Sequence, residues 1–236
     1  MKTASRRVTA EFLGTMFLVA AVIGSGIMGE RLCGGNIAIA LLANTIATGA
    51  ALVALILTFG PISGAHFNPA VTLADAIEHG IGWREVPGYV VAQCAGGIGG
   101  AVIAHLMFGL EWYTLSTRQR SGQAQVFSEF IATFGLMSVI WGCSRVRSMA
   151  VPFAVGCYIT SAYWFTASTS FANPAVTLAR AFSNTFAGIR PADVPLFIMA
   201  QLAGAACATL LFRWLIPSLP THAKDVVLAQ SGKPGS

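Results

Sequence analysis

Charged side chains are absent from six stretches of the chain: Phe12–Gly29, Leu32–Ala74, Val86–Leu110, Phe130–Ser144, Ser148–Ala179 and Val194–Phe212. Their lengths are 18, 43, 25, 15, 32 and 19 residues, and a helix that crosses a bilayer needs roughly 20 apolar residues. Helices of a soluble bundle carry a polar face; these stretches have almost none. The pattern predicts an integral membrane protein with about six spans. The first stretch follows Lys2, Arg6 and Arg7, as in a secretory signal. It is longer than the usual apolar region of about 7–15 residues and no small-x-small cleavage site follows, so it reads as a retained span.

The chain repeats itself. AEFLGTMFLV at Ala10–Val19 matches SEFIATFGLM at Ser128–Met137, GYVVAQCAGG at Gly88–Gly97 matches LFIMAQLAGA at Leu196–Ala205, and HFNPAVTLADAI at His66–Ile77 matches FANPAVTLARAF at Phe171–Phe182. The blocks keep one order in repeats 8–109 and 126–217 of a single domain, 1–236. Such repeats mark a pseudo-symmetric membrane bundle. The 43-residue stretch predicts a span over Ile37–Phe59, a break at Gly60-Pro61, and a short helix from Asn68 to about His79. The 32-residue stretch predicts a span over Val151–Ser168 and a short helix from Asn173 to about Ser183. Three crossings per half is odd, so the second repeat enters from the opposite side.

A helix of about 10 residues rises about 15 Å, half of a roughly 30 Å hydrocarbon core. Its remaining backbone is irregular and must lie in protein or along a wet cavity. Asn is a favoured N-cap and Pro suits the first helical position. Both short helices therefore start at Asn-Pro near the midplane, with their positive ends facing each other.

Composition agrees: 55% of residues are hydrophobic and 10% charged, against about 25% charged in soluble domains. The net charge of +5 is scattered rather than patched, which argues against a nucleic-acid partner. The five cysteines form no CxxC pair, so no disulfide, metal site or cofactor is assigned. No HExxH, Ser-His-Asp spacing or phosphate loop points to an enzyme. With the N-terminus inside, the inner side holds Lys2, Arg6, Arg7, Arg84, Arg145, Arg147, Arg213, Lys224 and Lys233. The outer side holds Arg31, Arg118, Arg120, Arg180 and Arg190, so the bias favours cytoplasmic termini. The polar segment Thr221–Ser236 reads as a mobile tail.

From about Val8 to Pro217 the sequence resembles the aquaporin family, the major intrinsic proteins. The likeness rests on the paired Asn-Pro-Ala motifs (Asn68, Pro69, Ala70 and Asn173, Pro174, Ala175), on AEF–GT in the first helix, and on the repeat order. It implies an all-α membrane protein of six transmembrane helices and two re-entrant half-helices. It also implies one pore per subunit and a homotetramer in the lipid of the cell membrane.

The residues allow a mechanism. Each Asn side-chain oxygen can cap its own helix, leaving the amide N–H groups as donors to a solute's oxygen lone pairs. Carbonyls of Ser63–Phe67 and Ser168–Ala172 can line the rest of the path. Glu11 and Glu129 occupy matching positions inside the apolar pattern. Either they relay protons or they hold the loose backbone of the re-entrant loops; their symmetry favours support, as does the resemblance. Gln93 and Gln201 are matched too, and the glycines around Gly96 and Gly204 permit close helix packing. His66 lacks ligand companions; the resemblance to family members carrying HFNPA implies a pore-lining place for it, and Phe171 is a further candidate.

Water-selective family members usually carry Arg directly after the second Asn-Pro-Ala. This chain has Val176 there, and Val71 in the first motif. Counting from the motifs without gaps puts the other filter positions at Thr48, Ser161 and Ser170, all small. A wide, arginine-free filter admits water and glycerol-like polyols, and the resemblance to family members with such filters implies a passive channel for small neutral solutes that takes in uncharged metalloid hydroxides such as arsenous acid. A strict water channel is the alternative. An ion-coupled transporter would need coupling-ion ligands, which the sequence does not offer. Arg180 lies one turn beyond Val176 on the same helix face. It is either a solvated charge at a helix C-terminus or a displaced arginine facing the pore.

Overall fold

The computed structural model describes residues 3–146 and 148–216; the tail 221–236 falls outside them. Among the described residues every regular element is helical. The first half holds α1 (Ala4–Leu32), α2 (Ile37–Ser63), α3 (Pro69–Ile77) and α4 (Val86–Met107). The second holds α5 (Gln123–Val146), α6 (Val151–Phe165), α7 (Pro174–Arg180) and α8 (Val194–Leu215). Among the described residues, five helices are long and apolar enough to cross a membrane by themselves. The sixth, α6, has 15 residues and continues from a 3-10 turn at Ser148–Ala150. The architecture is six spanning helices around the half-helices α3 and α7.

Burial is distributed as lipid demands. Phe17, Ile46, Val91, Met199 and Trp214 face outward, whereas Glu11, Thr72, Gln93, Glu129, Thr177 and Gln201 are fully buried. A hydrocarbon solvent accepts apolar side chains and forces polar ones inward to find partners. α1 packs on α2 and α4, α5 on α6 and α8, and α2 on α6. The α1–α4 and α5–α8 crossings need glycine. A Cβ at Gly96 would strike the Phe12 carbonyl, and one at Gly204 the Phe130 carbonyl. Lipid gives helices little hydrophobic reason to associate, so such backbone-to-backbone packing supplies the attraction.

The first re-entrant segment departs from expectation at its start. Gly60-Pro61 does not end the span at Phe59, because α2 runs through Pro61 to Ser63. Proline removes a donor, but one missing bond in the last turn does not unwind a 27-residue helix. The break comes at Gly64, whose φ of 93° suits a left-handed cap. In the second half α6 stops at Phe165 rather than Ser168, because the following loop turns left-handed at Thr169, Ser170 and Ala172.

α3 and α7 meet at their first residues and diverge. The end of α3 reaches the end of α8, where Arg213 pairs with buried Glu78 at 2.7 Å. The end of α7 reaches the end of α4, where His105 Nε2 and Ser183 Oγ lie 2.8 Å apart. The membrane face holding Arg213, and Arg7 paired with Glu85, is called the N-terminal face below. The other, holding Arg190 paired with Asp193, is the opposite face.

Candidate functional site: a cavity through the paired half-helices

Asn68 and Asn173 cap the half-helices. Asn68 Oδ1 accepts from Ala70 N at 2.9 Å, and Asn173 Oδ1 accepts from Ala175 N at 2.9 Å and Val176 N at 3.2 Å. Each side chain also reaches across the junction. Asn68 Nδ2 donates to the Ala172 carbonyl at 2.8 Å, and Asn173 Nδ2 to the Phe67 carbonyl at 2.7 Å. One amide hydrogen of each Asn thus ties the halves together, and the second remains for a solute.

The loops ahead of both motifs adopt one strained shape. Ala65 and Phe67 have φ of 51° and 49°, and the equivalent Ser170 and Ala172 both have 49°. Left-handed backbone costs a non-glycine residue about 1–2 kcal/mol, and here a carboxylate holds it. Glu11 accepts from His66 N at 3.0 Å, Phe67 N at 2.7 Å and Ser63 Oγ at 2.6 Å. Glu129 accepts from Phe171 N and Ala172 N, both at 2.9 Å. Gln93 Nε2 bridges Glu11 and Thr72 at 2.8 and 2.9 Å. Gln201 Nε2 bridges Glu129 and Thr177 at 2.6 and 2.8 Å. The threonines in turn donate to the carbonyls of Asn68 and Asn173, so each network ends on its motif.

A cavity of about 280 Å³ runs past this junction. Pro61 and Met149 border it toward the N-terminal face, Asn68 and Asn173 at the centre, and Tyr163, Ser170 and Arg180 toward the opposite face. Leu18, Val22, Leu52, Val155 and Ile159 supply an apolar wall. Hydrogen-bonding groups therefore line one part of the passage and hydrocarbon the rest.

Of the four expected filter positions, Thr48, Ser170 and Val176 border the cavity. Ser161 does not. It is exposed on the outside of α6, and its hydroxyl donates back to the Tyr158 carbonyl at 2.8 Å. Helix phase is the cause. Pro152, Val155, Ile159 and Tyr163 share the cavity face, and two residues of helix turn Ser161 about 200° from Tyr163. Tyr163 takes the place opposite Thr48, with the two hydroxyl oxygens 3.3 Å apart.

His66 and Phe171 are buried and border the cavity. His66 Nδ1 lies 3.0 Å from Thr72 Oγ1, and its Nε2 lies 3.6 Å from Asp75 Oδ2. Arg180 is not a solvated charge: it is 1% exposed and borders the cavity. Its Nε donates to the Ala187 carbonyl and its guanidinium carbon lies 3.3 Å from the Phe171 ring centre. Arg120, from the loop between α4 and α5, lies 5.0 Å from the same ring centre. The sequence reading missed Tyr163 and Arg120. The helical phase of Ile159 signalled the first, while Arg120 belongs to no repeat block.

A helix bundle with two half-helices tip to tip beside a cavity that both of them border has the architecture of a membrane channel. The family model described as major intrinsic protein matches residues 1–160 and 142–233. The aquaglyceroporin AqpS of Rhizobium meliloti is 56% identical over 217 residues, 92% of this chain and 93% of that protein. Aquaporin NIP1-4 of Oryza sativa is 34% identical over 84% of this chain and 72% of its own length. The crystal structure of the aquaglyceroporin from Plasmodium falciparum shares the fold, with a TM-score of 0.75 at 18% identity, covering 93% of this chain and all of that one. The chain belongs to the major intrinsic protein family, a family of multi-pass membrane channels rather than enzymes.

Proposed function

We propose that the protein conducts small neutral solutes passively, water and glycerol-like polyols first, with uncharged metalloid hydroxides such as arsenous acid within its range. It does so as a homotetramer in the cell membrane, one pore per subunit, with both termini cytoplasmic. The observation that carries the reading is the cavity beside both Asn-Pro-Ala motifs, bordered by Val176 where water-selective relatives place arginine. Thr48 and Ser170 leave further room there, and Tyr163 adds a phenol hydroxyl that can hold a solute oxygen.

A solute entering from either face exchanges water for the free N–H of Asn68 and Asn173 and for loop carbonyls, while its carbon skeleton slides along Leu52, Val155 and Ile159. A cation meets two positive half-helix ends at the centre and finds no compensation for its lost hydration, as in aquaporin-type pores generally. Glu11 and Glu129 are committed to backbone N–H groups, which supports a scaffolding role over a proton relay. The basic residues that the sequence pattern assigns to the inner side, nine against five, support the orientation. The name aquaglyceroporin carried by the Rhizobium relative supports glycerol among the permeants.

Flux driven only by the solute gradient is the test. Glycerol entry into cells or vesicles carrying the protein stays constant when an uncoupler collapses the proton gradient and when sodium is replaced by choline. Loss of entry under either condition would make the protein a coupled transporter.

A further inference from the structure

The two half-helices carry the same sequence through the first six residues after Asn, and then opposite charges: PAVTLAD ends on Asp75 and PAVTLAR on Arg180. Asp75 borders the cavity toward the N-terminal face beside His66, and Arg180 borders it toward the opposite face. Val176 and Arg180 are four residues apart on α7, so they project within about 40° of each other, with Arg180 about 6 Å farther out.

Arg180 is held rigidly and yet not used up. Its Nε donates to the Ala187 carbonyl, and the Phe171 ring backs the guanidinium plane. Arg120 flanks the same ring and ties the loop behind it, through Nε to the Gly188 carbonyl at 2.8 Å and Nη1 to the Ser168 carbonyl at 3.0 Å. Burial, and then neighbouring Arg118, pulls the Arg120 guanidinium down to about 10, still charged at neutral pH. Among the described residues no carboxylate pairs with Arg180, and its Nη1 is buried without a hydrogen-bond partner. The Ser170 hydroxyl, bordering the same cavity, is buried without a partner as well. A buried guanidinium N–H left unpaired is costly unless something passing through the cavity completes it.

We infer that Arg180 supplies, one helical turn beyond Val176, the fixed cationic donor that the position after the second Asn-Pro-Ala lacks, and that with Ser170 it forms a subsite for oxygen-rich neutral solutes which also turns cations away. Displacement along α7 separates two properties that one arginine beside the motif would combine. The level of Val176 is spared the bulk of an arginine, and the charge barrier sits above it, where a neutral polyol can still accept from Nη1 while turning its hydroxyl toward Ser170. The inference rests on the channel reading and assigns its specificity to a residue outside the motif.

The test compares wild type with Arg180→Ala, Arg180→Gln and Arg180→Lys in proteoliposomes, measuring methylammonium and potassium entry beside glycerol and water. Arg180→Gln keeps an N–H for the Ala187 carbonyl and loses the charge, so it serves if Arg180→Ala folds poorly. Cation entry should rise roughly tenfold or more in Ala and Gln, glycerol entry should change less than about threefold, and Lys should keep cations out. Saturation by glycerol should weaken in Ala and Lys, which cannot offer the planar donor. Unchanged cation entry in a folded Gln variant that still conducts glycerol overturns the inference and leaves the channel intact. Failure of wild type itself to conduct glycerol overturns the channel reading, and this one with it.

Discussion

Glu129→Gln removes the acceptor that shapes the second re-entrant loop, and its cost can be worked from the bonds it makes. The carboxylate accepts from Phe171 N and Ala172 N at 2.9 Å each and from Gln201 Nε2 at 2.6 Å. Gln offers one oxygen in place of two, and its NH2 must face either a backbone N–H or the Gln201 amide. At least one charge-assisted bond is lost and one buried donor is stranded, about 2–4 kcal/mol together. The loop stores left-handed strain at Thr169, Ser170 and Ala172, so once the acceptor goes the backbone relaxes rather than waits. The Asn68 bond to the Ala172 carbonyl is then disturbed as well. Amide exchange at Phe171 and Ala172 should accelerate roughly 30- to 1000-fold at that cost, and melting in detergent should fall by roughly 5–15 °C. Glycerol conduction should drop at least tenfold. Melting and exchange equal to wild type would refute the argument, and altered proton flux with unaltered melting would restore the relay that it displaces.

Other perturbations test separate parts of the account. Asn68→Asp or Asn173→Asp replaces a donor to the opposite loop's carbonyl by an acceptor, costing about 2–3 kcal/mol; swelling assays should show neutral-solute flux at least tenfold lower. Val176→Arg adds bulk and charge beside Thr48 and Ser170; stopped-flow light scattering should show glycerol permeability falling at least fivefold more than water permeability, and an equal loss of both would speak against a constriction there. Ser161→Val should leave glycerol flux within about twofold of wild type, whereas Tyr163→Ala should admit larger polyols such as sorbitol, because only Tyr163 borders the cavity.

The half-helices were legible because capping chemistry is local: Asn followed by Pro states where a helix starts whatever surrounds it. Glu11, Glu129, Gln93 and Gln201 were legible as a set because an inverted repeat writes each structural device twice. Features written once were harder to see. Ser161 was reached by counting across a loop that holds three left-handed residues. Such a count fixes the height of a residue in the membrane and not which way it faces, whereas the phase of Val155, Ile159 and Tyr163 does fix the facing. Pro61 misled in the other direction, since its effect depends on how many helical bonds stand behind it. The role of Arg120 has no local signal: its guanidinium meets Gly188 and Ser168 only after the chain has crossed the bilayer twice more. The cross-junction bonds of Asn68 and Asn173 likewise join residues more than 100 positions apart.

The proposed function requires a solute passage too wide to be reserved for water. Stopped-flow measurement of water, glycerol, urea and arsenous acid permeability on one preparation of wild-type proteoliposomes addresses it most directly. Glycerol permeability should be at least tenfold above that of protein-free vesicles, with water and arsenous acid permeability also raised. Water permeability raised while glycerol stays at the protein-free level would contradict it and make the protein a strict water channel.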